Sequence, residues 1–477
     1  MDFLFDRVPR LSDDQLQMIH DRSVDLLSRV GFRFAASDRA VDIFRRHGFR
    51  TENDVVFFDE PKVRTAIGNL KSSFKVRAVD PDNDFQIGNG SFAFSTNAAP
   101  AFILDRDNTR RKAVKEDYLR FLRTVQQTDV IDLVRPFWDV ADTPGGHFSW
   151  MIRWGFEYTT KAISGSSLTD IELAAMAFGL DRQRMRDAAE RGTVHMVGLC
   201  SPRSPLTLEH GNCDFIIDQA DWGCACKISP VPMAGMTAPV TLTGLIILQN
   251  AEVLAPMVLS QLVNPGVPVV YGVLSTPADM KTAIAPTASP ETCGPIMRAG
   301  VQMAAYYGVP SRMDAANTDA CTCDFQAGAD SALLFVNAVR SGSHVIAGLG
   351  SLESRGMNSL EKLVLDAELA RQARHMLKPL VFNDENMAVE LMVEMGREAL
   401  YIQSDHTYDH FRETYMPELF QRDSFSSWDA KGRPDILSIA ATRVDELQES
   451  YRKPGILPPS ILADMEQYML KQSGSLL

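Results

Sequence analysis

From about residue 92, short apolar runs that end in small or polar residues alternate with longer stretches whose apolar positions recur at helical spacing. The strand-type runs are FAFSTNA (92–98), VRPFWDV (134–140), KAISGSS (161–167) and VHMVGLC (194–200). They continue with CACKISPV (224–231), VPVVYGVLS (267–275), SRMDAAN (311–317) and HVIAGLG (344–350). Each is followed by helical text, such as EDYLRFLRTVQQT after the first and EKLVLDAELARQARHML after the last. Eight such alternations predict an α/β protein built on a (β/α)8 TIM barrel over residues 91–380. The rival, an open doubly wound sheet, usually opens with a glycine-rich phosphate loop after its first strand. STNAAPAFILD is no such loop, and no G-x-x-x-x-G-K-[ST] occurs.

The flanks read differently. Residues 1–90 predict a helical cap with a small β-hairpin. In LSDDQLQMIHDRSVDLLSRVG, Ser12 is a candidate N-cap and Gly31 a stop, and FKVRAVDPDNDFQIGNG alternates and turns. Residues 381–477 predict a C-terminal helical extension packed on the barrel.

Composition removes several function classes. A formal net charge of −13 argues against wrapping nucleic acid. No stretch approaches ~18 uninterrupted apolar residues, so no membrane span is expected. The charged start MDFLFDRVPRLSDDQ lacks the apolar core of a secretory signal. Seven scattered cysteines fit a reduced, cytoplasmic setting better than a disulfide framework.

In a barrel of this kind, chemistry sits at the C-terminal ends of the strands and in the loops beyond. That singles out Asn97, Trp138, His147, Lys161, Cys200, Lys227, Tyr271, Arg312, Asp314, Asn317, Asp319 and Ser351. Arg312 on a barrel strand must be paired, for instance with Asp314, or must face a polar pocket where its fork can hold a carboxylate. Trp138, Phe94 and Tyr271 fall where aromatic pocket walls would attract a quaternary ammonium. The pairs Cys224/Cys226 and Cys321/Cys323 raise a zinc site, but they fall at opposite ends of their strands, which favours packing thiols and no metal. Lys161 and Lys227 raise a Schiff base, with nothing nearby that is diagnostic. Histidines do not cluster, so the acid–base equipment is thin and the chemistry needs little proton transfer.

MAGMTAPVTLTGLIILQNAEVLAPMVLSQLVNPGVPVVYG (233–272), TDACTCDFQAGAD (318–330), SPLTLEHG and the opening LSDDQLQMIHDRSVDLLSRVGFRF together resemble the trimethylamine:corrinoid methyltransferase superfamily. The resemblance spans nearly the whole chain. It implies a barrel that moves a methyl group from an amine to the cobalt of a corrinoid, a co-substrate held by a separate protein at the barrel's C-terminal face. The founding members carry pyrrolysine. This chain has none, so it is similar to the branch that demethylates quaternary amines such as glycine betaine. With such a substrate, the strand-end residues take these expected parts: Arg312 for the carboxylate, with Trp138, Phe94 and Tyr271 for the ammonium. Asp314, His147 and Asn97 are then the orienting, catalytic contacts, no metal is needed, and a homo-oligomer is expected. Two alternatives stand beside this reading: a zinc-dependent corrinoid methyltransferase for methanol or thiols, and a non-catalytic barrel that binds a betaine or a corrinoid protein.

Overall fold

A computed structural model describes residues 11–97, 100–398 and 400–474. The first ten residues of the expected cap, Ala98 at the end of the first expected strand, and the last three residues of the extension lie outside the described residues.

Eight parallel strands form the barrel: β1 (Ala93–Thr96), β2 (Ile131–Val134), β3 (Ala162–Ile163), β4 (Val197–Cys200), β5 (Ala225–Ile228), β6 (Val269–Val273), β7 (Ser311–Asp314) and β8 (Val345–Leu349). Their spatial order is 3-2-1-8-7-6-5-4. Between β3 and β4 the ladder gives way to single links: Ser164 Oγ donates to the Val197 carbonyl (2.7 Å), and Leu199 N–H to the Gly165 carbonyl (3.3 Å). The barrel is thus nearly closed. The outer helices are α1 (Lys115–Gln126), α2 (Ser149–Tyr158), α3 (Leu168–Phe178), α4 (His210–Asp221), α5 (Leu242–Val263), α6 (Met297–Tyr306), α7 (Phe325–Ser341) and α8 (Leu360–Met376).

The second strand differs from its expected range. It ends at Val134 because Arg135 precedes Pro136, which has no N–H to offer the ladder. The third is also shorter than expected. Ser164–Ser167 leave the sheet so that Ser167 can cap α3.

One end of the barrel is sealed. The expected hairpin forms as Phe74–Val76 against Phe85–Ile87, joined by Thr193–Val194. Its apolar side chains Phe74, Val76 and Ile87 cluster with Leu133, Ala162, Val197, Ala225, Val270 and Val345. These come from six different strands, so they define the inward face. By the period of two, Ser95, Asn97, Arg135, Ser164, Lys227, Ser229, Gly272, Arg312 and Asp314 also point inward, nearer the open end.

α5 is long and apolar enough to cross a membrane on length and composition alone. It is instead a core helix, packed against the N-terminal helix Asp13–Arg29 and α4. Its polar residues tie the shell together. Asn250 Nδ2 donates to Ser23 Oγ and Tyr307 Oη, both at 2.9 Å, and Asn250 Oδ1 accepts from Tyr271 Oη at 3.1 Å. Glu252 accepts from the Leu206 N–H (2.9 Å) and Ser204 Oγ (2.7 Å), holding the loop after β4.

Burial pushes the Glu252 carboxyl from 4.5 up to about 7, against the pull of Ser204 and Leu206. Between those values the folded chain holds a proton that the unfolded chain has lost. The contribution of Glu252 is therefore full below pH 4.5 and lost as pH rises to about 7. Over that window we predict that wild type loses roughly 3 kcal/mol from this group and that Glu252→Gln does not. Urea unfolding across pH 5–8 checks it; parallel profiles for the two proteins would contradict the assignment.

Candidate active site

The open end of the barrel gathers the chemistry. Arg312 and Asp314 share the inward face of β7 and form a buried ion pair through Arg312 Nη2 and Asp314 Oδ1. Arg355, from the loop after β8, donates through Nε to the other Asp314 oxygen at 2.8 Å. Burial alone would raise the Asp314 carboxyl, but Arg312 and Arg355 outweigh it and hold the group below its ordinary range.

Arg355 is placed by strained backbone. Glu353, Ser354 and Arg355 have φ of 49°, 49° and 83°, the left-handed region that costs a non-glycine residue about 1 kcal/mol or more. The strain is held by Asp319, which accepts from Ser354 Oγ (2.6 Å) and from Thr287 N–H (2.8 Å). Asp319 thereby links the loops after β6, β7 and β8.

Two further basic side chains face Arg312 across the interior. Arg135 Nη1 donates to Ser164 Oγ at 3.3 Å, and Lys227 Nζ to the same oxygen at 3.0 Å. Burial lowers all three, and their mutual repulsion adds to it for Arg135 and Lys227. Arg135 falls to about 10, and Lys227 lies well below its usual value. Asp170, which caps α3 through the Ser166 and Ser167 N–H groups, and Asp314 offset this only in part. Arg312 Nη1, Arg135 Nε, Asn97 Oδ1 and Ser229 Oγ are buried with no hydrogen-bond partner in the protein. Native proteins seldom leave such groups unmatched, so the constellation is built to meet something polar.

Gly272 makes room for it. It is the register partner of Arg312 on β6, and a Cβ there would come within 2.0 Å of Ser229 Oγ.

The other expected residues divide. Asn97 is at the site: its Nδ2 donates to the Met357 carbonyl (3.3 Å), while its Oδ1 stays open. Trp138 stands on the rim, 61% exposed, beside Phe148. His147 accepts from the Ser149 N–H (3.2 Å) in the loop after β2 and is not joined to Asp314. Phe94 and Tyr271 correct the expectation of aromatic walls. Phe94 packs outward on Phe335 and Arg374, and Tyr271 on Tyr307 and Asn250, because each alternates out of phase with the inward residues of its strand.

Lys161 lies at the sealed end, donating to the Thr128 carbonyl at 2.9 Å, far from a Schiff-base position. Cys323 is half-buried beside Ser359, and Cys224 and Cys226 are buried. Among the described residues, no three His, Cys, Asp or Glu side chains are grouped to hold a metal ion. Arg135 and Arg355 were missed from the sequence. Arg135 was visible in VRPF, where a charged residue closes a buried strand; Arg355 gave no local signal.

The chain matches the family described as trimethylamine methyltransferase (MTTB) over residues 4–476. It belongs to that family and is a methyltransferase. It is 30% identical to a glycine betaine methyltransferase of Desulfitobacterium hafniense strain Y51, over 97% of this chain and 96% of that protein. It is 29% identical to a trimethylamine methyltransferase of Desulfitobacterium hafniense strain DCB-2, over 95% of this chain and 92% of that protein. The solved monomethylamine methyltransferase of Methanosarcina barkeri is 11% identical with a TM-score of 0.48, covering 92% of this chain and 98% of that one. That likeness is too slight to build on.

For this methyltransferase, Asp314→Asn leaves Arg312 and Arg355 without their buried counter-charge. The expected loss is roughly 3–5 kcal/mol of stability. A denaturant midpoint within about 0.5 kcal/mol of wild type, the range of ordinary surface substitutions, would show that the pair is not buried as described.

Proposed function

We propose that this methyltransferase removes a methyl group from a carboxylated quaternary amine, with glycine betaine the first candidate, and passes it to the Co(I) of a corrinoid carried by a partner protein. The observation that supports the reading is the set of basic side chains Arg312, Arg135 and Lys227 inside the barrel, with Arg312 Nη1 and Arg135 Nε left without a partner. A carboxylate supplies what they lack, and Arg312 Nη1 is the donor left free beside the Asp314 pair. The named betaine relative at 30% identity agrees.

The polarity of the site sets the substrate's direction. The sealed end forces entry from the open end, so the reacting methyl group must face outward. The carboxylate then goes inward to Arg312, and the trimethylammonium lies toward Asp314 and Asn97. Asp314 stays ionised and offers the cation a counter-charge. The expected cage of Trp138, Phe94 and Tyr271 has no part in this reading, because Trp138 is on the rim and the other two face outward.

The corrinoid supplies a strong nucleophile that attacks the methyl carbon in line. The N–CH3 bond breaks, its electron pair stays on nitrogen, and dimethylglycine leaves with no proton moved. The residues of this chain therefore bind, orient and desolvate. The partner has a surface to meet: Met236, Val240, Met280, Ile284 and Trp138 are exposed on loops at the open end, and Phe325 at the first position of α7 beside them.

The test is a methyl-transfer assay with reduced cob(I)alamin, with and without the cognate corrinoid protein, offering glycine betaine, choline and trimethylamine in turn. Loss of cob(I)alamin absorbance with the betaine alone is expected. Arg312→Lys, which loses the fork, is expected to cut kcat/KM about 100-fold or more. Equal turnover of choline, or an unimpaired Arg312→Lys, would contradict the carboxylate reading. Lys227→Met is expected to raise KM for the betaine while leaving the fold at least as stable, since it removes a basic group crowded by two arginines.

A further inference from the structure

Lys227 is buried on the inward face of β5 in company that does not suit an ammonium. Its Nζ donates to Ser164 Oγ at 3.0 Å, an oxygen that also accepts from Arg135 Nη1 at 3.3 Å. Two basic groups thus share one neutral hydroxyl. The carboxylate that acts on Lys227 is Asp314, which is already paired with Arg312 and Arg355. Its other charged or ionisable neighbours are Arg135, Arg312 and the Cys226 thiol on its own strand.

The local charges do not balance. Arg135, Lys227, Arg312 and Arg355 face two carboxylates, Asp170 and Asp314. Burial, with Arg135 and Arg312 adding to it, favours the neutral amine of Lys227, which is its nucleophilic form. The same interior holds donors that lack an acceptor. Arg312 Nη1 and Arg135 Nε are buried without a partner, as is Ser229 Oγ, two residues on from Lys227 along the same face. An anion made on Lys227 itself would answer both the charge and the donors.

We propose that Lys227 is a modification site: with no substrate bound, its amine adds carbon dioxide and becomes a carbamate that takes up the free donors of Arg312 and Arg135. The Nζ lone pair attacks the carbon of CO2 and the N–C bond forms. One C–O π pair becomes the charge on oxygen, and the nitrogen gives up a proton to water. No oxidant, reductant or metal enters the balance. Lysine passes from cation to anion, so the cluster becomes three arginines facing three anions. An arginine fork meets a carbamate as it meets a carboxylate, with two parallel N–H donors. CO2 is small and uncharged, and the open end of the barrel admits it. On the betaine reading proposed above, the carbamate claims the donors that the substrate carboxylate uses. CO2 then competes with substrate, and that regulation rests on that reading; the modification does not.

The test is carbon-13 NMR of the full chain in labelled bicarbonate at mildly alkaline pH, beside methyl-transfer kinetics in the same buffer. Wild type is expected to show a lysine carbamate resonance, and Lys227→Met and Lys227→Arg to lack it. Bicarbonate is expected to raise the wild-type KM for glycine betaine about 3-fold or more with kcat unchanged, and to leave the KM of Lys227→Met where it was. No carbamate in wild type, or one that survives both substitutions, would overturn the proposal. So would a KM effect without the resonance, which marks bicarbonate held as a free ion. A carbamate that leaves KM unmoved would overturn the competition. The resonance needs no methyl transfer, so it is read whether or not glycine betaine is the substrate. Lys227→Arg keeps the positive charge and decides the matter where Lys227→Met fails to fold.

Discussion

Asp314 is the carboxylate on which the open end of the barrel depends. It lies between Arg312 on its own strand and Arg355 on a strained loop, and it offsets part of the positive potential around Arg135 and Lys227. A lone carboxylate that deep would take up a proton; two arginines keep it charged. Conversely, three basic groups that close would be untenable without it. The rest follows from this balance. The loop after β8 must take left-handed backbone to bring Arg355 over, and Asp319 must tie three loops together to hold it there.

The barrel was legible because strand and helix periods alternate so regularly. Strand ends were less so, since their limits depend on single residues such as Pro136 and Ser167. The hallmark stretches that carry the family resemblance turn out to be structural. Asn250 and Glu252 of the NAE motif brace the N-terminal helix and the loop after β4. Asp319 of the TDA motif braces the mouth, and Asp324 caps α7. Such residues identify a family well and locate its chemistry poorly.

Arg312, Asp314 and Asn97 stood out in the sequence because a charged or amide residue inside a barrel needs a reason to be there, and the structure places all three in its interior. The aromatic expectation went wrong at Phe94 and Tyr271 because a one-residue difference of phase along a strand reverses the face. Sequence alone carries no absolute phase until some inward residue is known; the sealed-end cluster of Leu133, Ala162, Val270 and Val345 supplies it. Arg355 was not legible at all, since nothing local marks a loop residue as folding back over another strand.

The chemistry suits this arrangement. The quaternary amine of the proposed function brings its own leaving group and calls for no proton shuttle, which agrees with His147 being held as a loop contact to the Ser149 N–H. What the barrel must do is fix direction. Basic groups inside and an ionised carboxylate nearer the mouth make a field that would order the zwitterion of the proposed reaction one way round. The most direct measurement is a crystal structure with glycine betaine bound. The account predicts the carboxylate within hydrogen-bond reach of Arg312 Nη1 and the trimethylammonium toward the open end. A carboxylate facing the mouth, with the ammonium buried below Asp314, would contradict it.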